Sequence, residues 1–245
     1  MKKLLPILVV AALATGILPS HAQTEGISAP EFSGGTDILF GDNQSFSADV
    51  QIQLNGTPIK LHCKKYFNKS SLRTELDLSQ AQGYMSPQAL AQAKSIGLDK
   101  IVSIYQAGSH VLDMVYPDAQ AYAEMTVPTP SAIGTNAESV ALTPLGNETV
   151  AGHPCVKNKA IVTDNQGIKQ EFTVWNATDL KNFPVQIIQN DGNDPSTETF
   201  SNINFSKPDP SLFVPPSGFK KYNDPNEIIR AVTKKRGGTT PLPQQ

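Results

Sequence analysis

The chain has 245 residues, of which 39% are hydrophobic and 17% charged, so it is long and apolar enough to form a core, which excludes a wholly disordered chain. Its 20 basic and 22 acidic residues give a formal net charge of −2, which argues against a nucleic-acid partner bound through a basic surface. It has 2 cysteines, which excludes a multi-disulfide scaffold and a cysteine-rich zinc site.

Residues 1–22 are typical of a cleaved export signal. Lys2 and Lys3 precede an apolar run over residues 4–18, and Ser20-His21-Ala22 offers small residues at a cleavage site. The run is shorter than the roughly 20 residues that a membrane-spanning helix needs. We therefore predict export to the periplasm and a mature chain without a transmembrane segment.

The next segments predict an antiparallel meander. A polar, flexible lead over residues 23–44 is followed by apolar–polar alternation over residues 46–54, which is the pattern of a strand with one buried face. Asn55-Gly56 is a strong turn signal. Alternation resumes over residues 59–67 and again over residues 71–78, so three strands are expected in succession.

A helix is predicted after this meander. Ser86 is a suitable N-cap, Pro87 suits the first helical position and Gly97 suits the exit. The apolar stripe of this helix is thin, with Leu90 and Ile96 as its large members. Two interpretations remain open: a lid that moves over the sheet, or an ordinary covering helix.

The rest of the chain is read as further strands, a long loop and a final helix. Asp224, Pro225 and Glu227 indicate the start of a C-terminal helix over residues 223–237, with a loose tail over residues 238–245. Residues 128–145 are read as the loop. The further strands are expected at residues 101–106, 111–116, 120–127, 148–151, 155–163, 168–176, 185–190 and 197–205.

The sequence offers no constellation for catalysis or metal binding. The histidines of the mature chain, His62, His110 and His153, are scattered, and only His153 has a cysteine at short spacing, Cys155. A Gly-x-Ser-x-Gly nucleophile motif and a glycine-rich phosphate loop are both missing. We therefore predict a protein that is not an enzyme and has no metal and no cofactor; a hydrolase is the least favoured alternative.

Cys63 and Cys155 are an even pair of thiols in an exported chain. An oxidising compartment favours one disulfide between them, and this is the prediction made here. The alternative is two separate buried thiols, because both residues lie within strand patterns.

A series of short motifs resembles the LolA-like superfamily of outer-membrane lipoprotein carriers, in an uncharacterised exported branch. The resemblance spans residues 45–222. In chain order the motifs are Phe46–Ile52, Leu72–Leu76, Val115–Tyr122, Val150–Lys157, Val174–Leu180, Asn182–Val185, Pro208–Phe213 and Pro216–Phe219.

This resemblance implies a mainly β fold: an open, unclosed antiparallel β-barrel of about eleven strands, with a few helices as a lid over an apolar cavity. It also implies a monomeric periplasmic carrier or binding protein whose partners are lipids or the acyl chains of lipoproteins. The alternative is an envelope structural or regulatory sensor that binds a protein partner with the same fold. The expected cavity residues are Phe46, Val50, Ile52, Leu72, Leu76, Leu112 and Met114; a closed sandwich would use the same residues as its core.

One departure from the family concerns the lid. In the true carriers an arginine of an early strand holds the lid, whereas the second strand expected here, residues 59–65, contains none. Arg73 falls on the polar face of the third strand by alternation. The resemblance therefore implies binding of an apolar ligand rather than the hand-over of lipoproteins.

Overall fold

The structure is a computed structural model that describes residues 37–69, 71–126, 137–164, 167, 169–189 and 195–235. The predicted signal peptide and the predicted tail lie outside the described residues, as does most of the lead.

The described residues form one sheet of twelve strands that does not close. This confirms the prediction of a mainly β, unclosed fold, although the sheet has one strand more than was expected. The strand order is β12-β6-β5-β4-β3-β2-β1-β11-β10-β9-β8-β7, so β12 and β7 are the two edges. The pairs are antiparallel except that of β12 with β6, which is parallel. The strands are β1 Ser45–Leu54, β2 Lys60–Asn68, β3 Ser71–Asp77, β4 Lys100–Gln106, β5 Val111–Tyr116, β6 Ala121–Thr126, β7 Ala137–Val150, β8 His153–Asp164, β9 Lys169–Ala177, β10 Phe183–Gln189, β11 Ser196–Asn204 and β12 Lys220–Tyr222.

The prediction of a loop over residues 128–145 is wrong for the second half of that range. Strand β7 begins at Ala137 and pairs with β8 along its whole length. Pro144 lies within this strand at a bulge. A proline is tolerated there because β7 is an edge strand, so the amide that proline lacks is not required for pairing on the open side.

The described part of the chain contains two α-helices, and both begin where the capping signals predict. Helix α1 spans Pro87–Ser95, and the Ser86 hydroxyl accepts a hydrogen bond from the amide of Ala89. Helix α2 spans Pro225–Lys235, and Asp224 Oδ1 accepts one from the amide of Asn226 at 2.6 Å. Among the described residues, neither helix has the length and hydropathy needed to cross a bilayer.

The sheet has an apolar face and a polar face. The apolar face carries Phe46 and Val50 of β1 and is covered in two places by separate segments. A 3-10 turn, Asp37–Phe40, inserts Phe40 among four other rings, with centroid distances of 4.8 Å to Phe46, 5.8 Å to Phe67, 5.4 Å to Phe183 and 5.7 Å to Phe200. We call this group the phenylalanine cluster.

The second covered area of the apolar face lies over β4, β5 and β6. There α1 and α2 pack on Ile101, Tyr116 and Ala123, with Ile228 of α2 fully buried. The polar face, which carries Asp49, is covered over β4 and β5 by another 3-10 turn, Pro210–Phe213. The sheet is therefore held by several short segments rather than by a second sheet.

The predicted disulfide between Cys63 and Cys155 does not form: both thiols are free and buried. Cys63 lies on β2 and Cys155 on β8, with β1, β11, β10 and β9 between them. At about 4.8 Å per strand, five strand spacings are roughly 24 Å along the sheet, whereas a disulfide needs Cα atoms within about 7 Å. The alternative of two separate buried thiols is the one found, and burial raises the pKa of Cys63 to about 12, which leaves that thiol unreactive at neutral pH.

Candidate functional site

The apolar face is incompletely covered over β3. This strand lies inside the sheet, with β2 and β4 on its two sides, yet Leu72, Thr74 and Leu76 on its apolar face are only partly buried. The equivalent residues of β1 are fully buried. The reason is the position of the covering segments, since the phenylalanine cluster covers one side of β3 and the two helices cover the other. We call this strip, over Leu72, Thr74 and Leu76, the β3 cleft.

The strand register sets the chemistry along the cleft in three rows that run across the strands. One outer row aligns Phe67, Leu72, Tyr105 and Leu112. The other aligns Cys63, Leu76 and Ile101. The middle row aligns Lys65, Thr74, Ser103 and Met114. A polar row therefore lies between two apolar ones.

All the residues predicted for an apolar cavity lie on the apolar face, but in different surroundings. Phe46 belongs to the phenylalanine cluster, and Val50, which is 2% exposed, belongs to the core around it. Leu112 is buried with Tyr105 in a small separate cluster.

The remaining four predicted residues are partly buried. Leu72 and Leu76 are in the floor of the β3 cleft, and Met114 continues its middle row on β5. Ile52 lies on β1, paired with Glu198 of β11. The structure thus places Leu72 and Leu76 at the cleft and Met114 two strands away on β5, and their contact with a ligand stays a prediction.

A buried ion pair beside the cleft was not anticipated from the sequence. Lys65 Nζ lies 3.0 Å from Glu198 Oε1 and 2.8 Å from Oε2, with 4% and 10% of the two side chains exposed. Burial raises the pKa of Glu198, and the neighbouring ammonium of Lys65 acts against that rise. The sequence contained one indication of a buried charge. Side chains alternate between the two faces along β2, and this alternation puts Lys65 on the apolar face between Cys63 and Phe67.

A pocket of about 760 Å³ lies over β1 to β4. Its lining includes polar-face residues such as Asp49, Arg73 and Glu75, and also Val50, Cys63, Leu76 and Ile101. Its charged groups are satisfied by neighbours. Arg73 Nε lies 2.7 Å from Glu75 Oε1, and Asn202 Nδ2 donates to Asp49 Oδ2 at 2.7 Å. Arg73 also donates to the carbonyl of Leu212 at 2.9 Å, which ties the covering segment to β3. The charged groups Arg73, Glu75 and Asp49 of this pocket therefore already have partners, and Leu76 is shared between the pocket and the β3 cleft.

Asp113 on β5 is a buried carboxylate of the polar face. It is 2% exposed, and its Oδ1 has no hydrogen-bond partner among the described residues. Burial raises the pKa of Asp113 to about 6, the charge of Glu124 adds to the rise, and Lys221 opposes it. Because the folded pKa lies above the unfolded value, this group stabilises the fold most below about pH 4, and the contribution is lost as the pH rises through 6.

Replacing Asp113 with asparagine is therefore expected to raise the free energy of unfolding at pH 7 by about 1–3 kcal/mol and to flatten its decrease between pH 4 and 7. Chemical denaturation at several pH values measures both effects. Asp118→Asn is the control, because Asp118 is an exposed partner of Lys100 and should change the stability by less than about 1 kcal/mol. Equal pH profiles for wild type and Asp113→Asn would contradict the prediction.

A scan against protein-family models and a search of curated proteins gave no match. Among solved structures, the chain is similar to the lipoprotein LppX of Mycobacterium tuberculosis, with 16% identity, coverage of 64% of this chain and 86% of that one, and a TM-score of 0.38. It is similar to a LolA superfamily protein of Nitrosomonas europaea, with 10% identity, coverage of 73% and 94%, and a TM-score of 0.40.

A third similar structure is MucB in complex with MucA(peri), with 14% identity and a TM-score of 0.38, where 74% of this chain spans 58% of the MucB chain. The likeness is one of fold only, and the fold described above rests on the strand order of this chain itself.

Proposed function

We propose that the protein is a non-enzymatic periplasmic carrier or binding protein that holds an alkyl or acyl chain in the β3 cleft. The supporting observation is the partial exposure of Leu72 and Leu76 on the apolar face of a strand inside the sheet. Each methylene of a ligand that covers this surface would contribute about 0.8 kcal/mol. A chain of modest length therefore suffices for stable binding.

Helix α1 is the segment proposed to open and close the cleft. Across Pro87–Ser95 only Ala93 is buried, and Leu90 and Ile96 pack on the sheet side as partly buried neighbours. Helix α2, in contrast, is anchored by the buried Pro225 and Ile228. Because α1 buries so little apolar surface, its displacement costs little free energy.

The test uses two identical substitutions at positions of different burial. In Leu76→Glu the new carboxylate can reach water through the cleft, so we expect the fold to persist while the affinity for a fluorescent fatty acid falls at least about tenfold. In Val50→Glu the carboxylate is buried without a partner in the core, and the domain is expected to unfold.

Thermal melting and fluorescence titration of the exported protein provide both readouts. Leu142→Glu is the matched control for binding, because Leu142 is 50% exposed on the edge strand β7, far along the sheet from β3. Failure of the wild type to bind the fatty acid would overturn the proposal, and so would wild-type affinity in a folded Leu76→Glu variant.

A second candidate function, recognition of an envelope protein, is favoured by β7, which is an edge strand among the described residues. This edge strand exposes Leu142 and Leu145, which are 50% and 56% exposed. An extended segment of a partner could add a strand there. Mass spectrometry of organic extracts from natively purified protein separates the two candidates: bound lipid supports the carrier, whereas a protein partner that is lost in Leu142→Lys, without bound lipid, supports recognition.

A further inference from the structure

The solvent side of helix α2 carries a group of basic side chains. The helix packs on the apolar face of the sheet through Ile228 and Val232, so its opposite side faces solvent. Arg230 and Lys234 are four residues apart and lie on that opposite side by the helical period, and Lys235 comes directly after them. All three are exposed. The outer surface of the segment that covers β6 is therefore positively charged.

Strand β12 adds a fourth cation on the same side of the sheet. Lys220 pairs with Ala121 of β6, which belongs to the apolar face, so Lys220 is on the side where α2 lies. It is exposed, and its ammonium lies 4.7 Å from the ring centroid of Tyr222. We call the four residues Lys220, Arg230, Lys234 and Lys235 the basic face.

The acidic residues of the same segment do not neutralise the basic face. Residues 220–235 contain five basic residues and two acidic ones, in a chain whose formal net charge is −2. Both acidic side chains are used at the start of α2: Asp224 Oδ1 accepts from the amide of Asn226 at 2.6 Å, and Glu227 Oε2 accepts from that of Asn223 at 3.4 Å. Within the part of the chain that the structure describes, the basic residues of α2 form no ion pair.

We propose that the basic face binds the surface of a bilayer that contains anionic phospholipids. The attraction of several exposed cations to such a surface is additive and needs no shaped pocket. A protein partner would instead favour an exposed apolar anchor at the centre of the interface. Among the described residues the large apolar side chains that are exposed are Leu142, Leu145 and Val214, and none of them belongs to α2. The charge without an apolar anchor favours the bilayer.

This inference goes beyond the proposed carrier function, but it has a consequence for it. Helices α1 and α2 both cover the apolar face beside the β3 cleft. A bilayer bound to the outer side of α2 would therefore lie on the side of the sheet where the cleft and the proposed lid are. A carrier bound in this way would present its cleft to the lipid layer.

The experiment measures binding of the full exported protein to sedimented vesicles. One kind of vesicle is phosphatidylcholine alone, and the other contains about one third phosphatidylglycerol. At low ionic strength we expect wild type to bind the anionic vesicles at least about tenfold more strongly than the neutral ones. This difference should decrease as the salt concentration is raised, because salt screens charges that lie in water.

A combined variant assigns this binding to the basic face. Arg230→Gln, Lys234→Gln and Lys235→Gln together should reduce binding to the anionic vesicles at least about tenfold, because each cation near such a surface contributes several-fold. The three side chains are exposed, so the fold is retained, and thermal melting checks this.

The matched control removes the same number of positive charges from other parts of the chain. Lys60, Lys169 and Lys207 are exposed and form no ion pair among the described residues. The combination of Lys60→Gln, Lys169→Gln and Lys207→Gln has the same net charge as the first variant. It should bind the anionic vesicles within about threefold of wild type, because these lysines lie outside the basic face.

Several outcomes would overturn this inference. Wild type that binds both kinds of vesicle equally, or neither kind, overturns it, and so does an equal loss of binding in the two combined variants. Binding to soluble polyglutamate without binding to anionic vesicles also overturns it and would indicate an acidic protein partner. The vesicle measurement uses no fatty acid, so each of these outcomes leaves the proposed carrier function to its own test.

Discussion

Replacing Lys65 with methionine is expected to lower the free energy of unfolding by about 3–5 kcal/mol, because it leaves the carboxylate of Glu198 buried without its partner. The two side chains are 4% and 10% exposed, and their shortest N–O distance is 2.8 Å. Chemical denaturation at pH 7 measures the loss. Burial raises the pKa of Glu198, and without Lys65 nothing offsets that rise. The unpaired carboxyl is therefore protonated more readily, so the deficit should shrink as the pH is lowered.

The double variant Lys65→Met with Glu198→Leu is the control for this prediction. Removing both charges avoids the unpaired carboxylate, and apolar replacements of a buried pair are often neutral or stabilising. We expect the double variant to be more stable than Lys65→Met alone, so that the two substitutions are strongly coupled. A single variant as stable as the double variant would show that the pair is not buried as described.

The alternation of side chains predicted the strands because each strand of the meander has one buried face. In β1, Phe46 and Val50 are buried and Asp49 and Gln51 are not, as the period of two requires. Capping signals located both helices, because an N-cap acts through a local hydrogen bond that sequence alone can specify.

Pairing between distant segments could not be predicted in this way. The first part of the strand at residues 137–150 was missed because a proline and several small polar residues favour a loop locally, whereas pairing with β8 at the sheet edge overrides that preference. The disulfide was wrong for a related reason. Two cysteines in an exported chain indicate a bridge, but the strand order that separates them is set by the whole sheet.

The sequence predicted which face of the sheet carries the candidate site, but not which residues of that face are left partly uncovered. Alternation put Leu72 and Leu76 on the correct face together with Phe46 and Val50. It could not distinguish residues under the phenylalanine cluster from residues in the open cleft, because that difference depends on where Phe40 and the helices pack. The Lys65–Glu198 pair joins residues 133 positions apart in the sequence, so its partner could not be identified from spacing.

Replacing Phe40 with alanine is expected to lower the free energy of unfolding by about 3–5 kcal/mol, the usual cost of removing a buried aromatic ring. Phe40 is 3% exposed and contacts the rings of Phe46, Phe67, Phe183 and Phe200 from a short 3-10 turn. The turn is also held by the buried side chain of Leu39 and by Asn43, whose Nδ2 donates to the carbonyls of Phe40 at 3.0 Å and Lys181 at 3.3 Å. The backbone therefore stays in place, and a cavity lined by aromatic side chains remains. Thermal melting and chemical denaturation measure the loss.

Phe205→Ala is the matched control, because Phe205 is partly buried and packs against one ring of the phenylalanine cluster, that of Phe183, at 5.7 Å. Its substitution should cost less than half as much as that of Phe40. A cavity left by Phe40→Ala on the apolar face should also bind a small aromatic compound, which would raise the melting temperature of this variant and not that of wild type. The prediction is contradicted if both variants lose the same free energy of unfolding and the aromatic compound does not raise the melting temperature of Phe40→Ala. Another segment, and not Phe40, would then cover the apolar face over β1 and β2.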